Sequence, residues 1–281
     1  DMSREYRVMT ALHPVYPPAP KTLLFCDDQS IMGADFYAME RITGMILRKD
    51  PPEAFSATEE QVRGAGIAMA ENLATLHAVD WKAAGLDSLQ KKGSSFMRRQ
   101  VEGWARRYEG SKTHDLPELE EVLKWCLDRI PEDSGAVVVH NDYKFDNMML
   151  DVNDITKIVG VLDWEMSTIG DPLFDLGCAL SYWTNPDEPD GLSTTNCFLQ
   201  KMPGSITRDE FLEIYAARSG RDVSNMNYHL EFQIIKLAVV LQQIYYRYHH
   251  GMTDDERFAG MLDGVKLLSI RAGMFIESGG I

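Results

Sequence analysis

The sequence predicts an α+β fold that is largely helical, with its strands confined to short pairs, and three observations carry that reading. Capping signatures at Thr58, Thr207 and Thr253, each a Thr followed three residues later by Gln or Glu, stand ahead of helical segments. A short apolar run, Met148–Leu150, and a β-branched apolar run, Lys157–Leu162, flank a polar stretch containing Asn153 and Asp154, which is the pattern of a hairpin. A length of 281 residues exceeds a typical single domain and fits a small remnant lobe beside one larger lobe. The expected organisation is a partial, truncated N-terminal lobe and hinge over residues 1–43. A helical C-terminal lobe over residues 44–281 then carries the hairpin.

The elements follow in chain order. Arg4–Met9 has the composition of a helix, and Thr58-Glu59-Glu60-Gln61 opens a longer one running to about Val79. Val62, Ala65, Met69, Leu73 and Leu76 recur on one face of that helix. Gly93 to Tyr108 and Glu118 to Arg129 are further helices, the second stopped ahead of Pro131. The run Ala136–Val139 leads into the polar segment 140–147, and the hairpin comes next. From Trp183 to Ser205 the chain turns rich in Pro, Gly, Asn, Ser and Thr, which predicts a long loop and a candidate lid over a bound acceptor. The acidic group Asp187-Glu188-Pro189-Asp190 within it reads as a solvated run. The Thr207 and Thr253 signatures introduce the last helices, and between them Leu230, Ile234, Leu237, Leu241, Ile244 and Tyr248 form a core-facing stripe.

The chemistry concentrates in His140-Asn141-Asp142-Tyr143-Lys144-Phe145-Asp146-Asn147 and in Asp163-Trp164-Glu165. The spacing H-x-D-x-K-x-x-N is that of a phosphoryl-transfer loop, in which the Asp receives the acceptor hydroxyl proton and the Asn holds Mg²⁺. Asn147 precedes the first hairpin strand and Asp163 follows the second. Both therefore emerge at the open end of the hairpin, where two oxygen donors can share one hard cation. Asp142 is the candidate base, and Lys144 is placed for charge developing on the transferring phosphoryl group. His140, third of the candidate catalytic residues, ends an apolar run and is read first as a brace for the loop. Two other readings share these residues: a metallohydrolase using His140, Asp142, Asp163 and Asp171, and plain turn and helix caps.

Composition bounds the partners. A formal charge of −15 argues against nucleic acid, whose backbone needs a basic footprint. No run reaches the length of a membrane span, and no signal-peptide pattern is found. The four cysteines, Cys26, Cys126, Cys178 and Cys197, are too dispersed for a metal or redox motif, which points to a reducing, cytoplasmic compartment.

The segment from His140 through Asn147, then Asp163-Trp164-Glu165, then Gly170-Asp171-Pro172-Leu173-Phe174-Asp175-Leu176 together resemble the aminoglycoside phosphotransferase family, relatives of choline kinases and more distantly of protein kinases. Phe36–Gly44 resembles the family's hinge and Asn72–His77 the helix before the catalytic loop, so the likeness covers about Glu5 to Ser181. It is most like the branch found fused to, or beside, acyl-CoA dehydrogenases. The resemblance implies a protein-kinase-like fold with Asp142 as base, Asn147 and Asp163 on Mg²⁺, and Asp175 hydrogen-bonded to the catalytic loop. It further implies ATP as co-substrate, its adenine edge met by the backbone at Glu40 and Ile42. Glu5, on the Arg4–Met9 helix, is the implied partner of a strand lysine. That lysine and a Gly-rich phosphate loop are not found ahead of Arg4, and a start at Asp1 in place of Met leads to the expectation of a fragment. The Asp163 motif ends in Glu165 where protein kinases have Gly, as in small-molecule kinases.

The function expected is an ATP- and Mg²⁺-dependent phosphotransferase acting on a hydroxyl of a small molecule, either aminoglycoside-like or a hydroxyacyl compound. The alternative is a catalytically weak pseudokinase that serves as a docking module. Oligomeric state is not readable from this sequence.

Overall fold

A computed structural model describes residues 1–53, 55–91, 93, 95–185 and 197–278. In chain order the elements are α1 (Met2–Leu12), β1 (Thr22–Cys26), α2 (Gln29–Met32), β2 (Phe36–Met39), α3 (Glu59–His77), α4 (Phe96–Glu109), α5 (Pro117–Asp128), β3 (Val137–Val139), β4 (Met148–Leu150), β5 (Ile158–Val161), β6 (Thr168–Gly170), α6 (Pro172–Tyr182), α7 (Arg208–Ser219), α8 (Met226–His249) and α9 (Met261–Ser278). The fold is α+β, and its strands form three antiparallel pairs, β1 with β2, β3 with β6 and β4 with β5. Among the described residues no helix is long and apolar enough to cross a membrane.

Among the described residues the chain divides into two compact units, one within residues 1–91, 135–185 and 197–223, the other within 93–134 and 224–278. In the first unit, α1 buries Glu5, Val8, Met9 and Leu12, a spacing that lays them on one face. Helix α3 starts where the capping box predicts. Thr58 Oγ1 accepts from Gln61 N at 3.2 Å, and Gln61 Oε1 accepts from Thr58 N at 2.9 Å. All five of its predicted core residues are buried. Pro172 begins α6 and the buried Asp171 caps it, accepting from Leu173 N at 2.8 Å and Phe174 N at 3.1 Å.

The second unit is helical. The Asp133 carboxylate caps α4, accepting from Phe96 N at 2.7 Å, Met97 N at 2.8 Å and Ser95 Oγ at 2.7 Å. Trp125 of α5 stacks on Tyr228 of α8 with ring centroids 5.6 Å apart. Burial on α8 is broader than the predicted stripe. Leu230 and Ile234 are buried, but so are Phe232, Gln233, Ile235 and Lys236, while Leu237, Leu241, Ile244 and Tyr248 are only half-buried. The Thr253 signature also resolves differently from expectation. Asp255 caps a 3-10 turn at Glu256–Phe258, and α9 begins beyond it at Met261. Of the loop predicted between Trp183 and Ser205, the stretch 186–196, including the acidic run, lies outside the described residues.

Candidate active site

The loop 140–147 leaves a fully buried strand, β3, and is gripped at once from α6. Asp175 of α6, itself buried, accepts from His140 N at 2.7 Å and Asn141 N at 2.6 Å. A third donor is His77 Nε2 at 3.1 Å, whose other ring nitrogen meets the Tyr215 hydroxyl at 2.7 Å. Burial pushes the Asp175 carboxyl up, but the hydrogen bond and charge of His77, with His140 adding to them, hold it below its ordinary value. Asn141 adopts a left-handed backbone with φ 67°, and its side-chain Nδ2 donates to Met166 O at 2.8 Å. Both ring nitrogens of His140 face backbone groups, Nε2 at 2.9 Å from Leu162 O and Nδ1 accepting from Asp142 N at 3.3 Å.

Asp142, Lys144 and Asn147 converge beyond this brace. Lys144 Nζ lies 3.0 Å from Asp142 Oδ1 and 2.8 Å from Oδ2, both side chains being about one-fifth exposed. Asn147 Nδ2 donates to Asp142 O and Oδ2, each at 2.9 Å. The amide is thereby oriented: its two N–H groups serve Asp142, leaving Oδ1 as the atom for another partner.

The hairpin brings Asp163 to the same end. β4 pairs with β5 in the register Met148↔Val161, and Leu162 N donates to Asn147 O at 2.8 Å, so Asp163 follows directly upon the residue bonded to Asn147. Asp163 has φ 66°, a left-handed conformation that costs a non-glycine residue about 1 kcal/mol. Neighbours hold it there. Glu5 Oε1 accepts from Trp164 N at 3.2 Å, and Arg4 Nη2 donates to Ser167 O. The Tyr37 hydroxyl is pushed up to about 12 by burial first, with Glu5 and Asp163 adding to it.

The segment 40–45 runs close over the hairpin. Met45 and Leu150 exchange backbone hydrogen bonds of 2.8 and 2.9 Å. A Cβ at Gly160 would stand 2.7 Å from Ile42 Cδ1, so any larger residue there would have to push the end of the Ile42 side chain aside. Glu40 N donates to Lys21 O at 2.8 Å, while its carboxylate pairs with Lys21 Nζ at 3.1 Å.

One Asp carboxylate and one amide oxygen at a common end suit Mg²⁺, which takes few protein ligands and fills its shell with water and phosphate oxygens. A zinc-type cage does not fit. Among the described residues no three His, Cys, Asp or Glu side chains converge to hold a metal, and Asp171 is engaged in capping α6. Sequence spacing missed several members of this neighbourhood: His77, which meets Asp175, Tyr215, which meets His77, and Tyr182, whose ring centroid lies 4.9 Å from Lys144 Nζ. Nothing local could have found them, because each comes from an element outside the loop.

The model of the phosphotransferase enzyme family (APH) matches residues 1–223. Acyl-CoA dehydrogenase family member 11 of Rattus norvegicus is 32% identical over 259 residues, covering 91% of this chain and 32% of that protein. The chain thus spans about a third of the length of the curated relatives it matches. Among solved structures, an aminoglycoside phosphotransferase candidate from Ralstonia eutropha superposes with a TM-score of 0.85 at 28% identity, covering 99% of this chain and 83% of the other. Aminoglycoside phosphotransferase APH(4)-Ia, in a ternary complex with AMP-PNP and hygromycin B, shares the fold at a TM-score of 0.59 and 15% identity, covering 97% and 83% of the two chains.

Proposed function

We propose, from the premise that this chain belongs to the phosphotransferase enzyme family, that it transfers the γ-phosphoryl group of ATP to a hydroxyl of a small molecule. The observation that carries this reading is the convergence of Asp142, Lys144 and Asn147 at the hairpin end where Asp163 emerges. Asp142 takes the proton of the acceptor hydroxyl as its oxygen bonds to phosphorus and the bond to the ADP oxygen breaks. Lys144 turns from Asp142 to the phosphoryl oxygens and stabilises their charge. Asn147 Oδ1 and the Asp163 carboxylate would hold Mg²⁺, which supplies charge neutralisation at the phosphates. His140 and Asp175 keep the loop in shape, Glu5 steadies the Asp163 turn, and the backbone at Glu40 and Ile42 meets the adenine edge.

The acceptor we favour is a hydroxylated acyl compound, because the relatives that match most of this chain bear acyl-CoA dehydrogenase names. An aminoglycoside is the other outcome of a substrate screen. The lobe boundary near residue 43 and a reducing, cytoplasmic setting belong to the same proposal. The latter is supported by four free cysteines, three of them buried.

Thermal-shift titration with Mg·ATP tests the nucleotide site. Ligand at about 100 times its dissociation constant adds roughly 2.7 kcal/mol, a midpoint shift of several degrees in a chain of this size. The shift is expected in this chain and lost in Asp163→Ala. No shift in either protein would remove the nucleotide from the proposal and favour a docking module.

A further inference from the structure

Asp163 is fixed by what flanks it, and the loop 140–147 reaches both flanks. On the near side, His140 Nε2 lies 2.9 Å from Leu162 O, and Leu162 N donates to Asn147 O at 2.8 Å. On the far side, Asn141 Nδ2 donates to Met166 O at 2.8 Å. Between them the chain turns tightly, with Ser167 N and Ser167 Oγ both donating to Trp164 O, at 3.1 and 2.6 Å. The other holds on this turn come from α1, where Glu5 accepts from Trp164 N and Arg4 donates to Ser167 O. Among these bonds, that of Asn141 is the one that ties the exit of the turn to the loop carrying Asp142.

Asn141 is itself held firmly enough to act as a tie. Its N–H donates to Asp175 Oδ1 at 2.6 Å and its carbonyl accepts from Cys178 Sγ at 3.1 Å, so α6 fixes its backbone on both sides. Its φ of 67° lies in the left-handed region, which Asn tolerates better than most residues. That tolerance alone would account for an Asn here, but not for where its amide points. The side chain is buried, and its Oδ1 has no partner among the described residues. A buried acceptor left unpaired costs free energy and offsets what the Nδ2 bond contributes. A glycine would take the same backbone without that cost. The amide thus adds little to stability, and what it supplies is a fixed spacing between loop and turn.

Resting on the phosphotransferase reading above, we propose that Asn141 is a positioning residue: through Met166 O it sets the Asp163 turn against the loop, so that the base Asp142 and the metal ligand Asp163 keep one spacing. With that bond gone, the loop holds only the entry to the turn at Leu162, and the exit is left to α1.

Asn141→Gly removes the amide and keeps the backbone, since glycine adopts φ 67° without strain. In the protein free of metal and nucleotide, amide hydrogen exchange at Trp164 and Ser167 should quicken by about 3- to 10-fold, while the amides of β3 keep their protection. Unchanged exchange at both, or a rise that extends to β3, would overturn the proposal. Asn141→Asp has the same shape but presents oxygens in place of the donor, and it should quicken exchange at the same two amides; protection kept there would also overturn it. Calorimetric titration of Asn141→Gly then reads the site. Its Kd for Mg·ATP should rise about 10-fold, as when a group that orients a metal ligand is lost, and its Kd for ATP in EDTA should match the wild type. An equal Kd for Mg·ATP in the two proteins, or equal losses with and without Mg²⁺, would overturn the proposal and leave the phosphotransferase reading standing. A wild type that binds ATP no better with Mg²⁺ than without would instead sink the metal site of that reading, and the exchange measurement would still decide whether Asn141 holds the turn.

Discussion

Asp142 is bonded by Lys144 and Asn147 in the same arrangement that would have to open for it to act. Removing its carboxylate leaves the Lys144 ammonium without its ion-pair partner, but not unsolvated, since Lys144 is partly exposed and lies over the Tyr182 ring. Asp142→Ala is therefore expected to fold and to bind Mg·ATP as well as the wild type, while its phosphoryl transfer falls by roughly 10² to 10⁴. Single-turnover measurement of ADP formation, alongside nucleotide binding, checks both halves. Loss of binding equal to the loss of rate would place Asp142 in ground-state recognition and not in proton transfer. Asp175 differs in kind. Its carboxylate is wholly buried and serves three donors on three residues, so its part is to hold the loop's backbone in place.

Helices deliver these side chains, and their packing sets the tolerance. Helix α3 packs against α7 and the chain leading into it, where a Cβ at Gly66 would stand 2.8 Å from Ile206 Cγ1, and Ile206 is fully buried. Gly66→Val should destabilise by roughly 2–3 kcal/mol, because overpacking a closed site forces side chains off their rotamers. Gly103, in the middle of α4, meets only the tips of Arg106 and Arg107 at 3.4 Å or more. Gly103→Ala should stabilise by about 0.5–1 kcal/mol through helix propensity alone. Chemical denaturation of the two variants checks the pair, and destabilisation by both would show that Gly103 has a packing partner after all. The capping box of α3 and the Asp171 cap of α6 work alongside this packing. They determine where α3 presents Asn72 to Tyr143, through a 2.8 Å hydrogen bond, and where α6 presents its loop-facing stripe.

The two compact units carry opposite dependences on pH. In the first, the folded-state value of Asp175 is lowered. Its contribution is complete above the ordinary carboxylate range near pH 4 and is lost as the pH falls through the lower folded value. In the second, burial raises Glu231 from 4.5 to about 8, with Arg271 opposing. A raised carboxyl binds its proton more tightly when folded. Stability is therefore highest with Glu231 protonated and declines as the pH rises from about 4.5 to about 8, by at most about 1.4 kcal/mol for each pH unit crossed. Glu231→Gln should cancel that decline, so the difference in Tm between variant and wild type grows from about pH 5 to about pH 8. A constant difference across this range would mean that Glu231 is ionised throughout.

Much of this molecule is legible in its sequence. The α+β class, the start of α3 at Thr58, the hairpin of residues 148–161 and the clustering of Asp142, Lys144 and Asn147 all depend on residues near one another in the chain. Local spacing and turn chemistry are enough to bring such groups together. The start of α9 was misplaced because Asp255 captured the N–H of Arg257 and turned the predicted cap into a 3-10 turn. The stripe on α8 was too narrow, since a helix flanked on several sides buries polar residues as well as its apolar face. The surroundings of the loop 140–147 lie beyond sequence pattern altogether. Glu5 reaches Trp164 across 159 positions, His77 reaches Asp175 across 98, and Asp175 reaches His140 across 35. Contacts of that range are chosen by how helices pack, which no periodicity records. So it is with Tyr182: its place seven residues along α6 from Asp175 is plain in the sequence, but only the docking of α6 against the loop brings its ring to Lys144 Nζ.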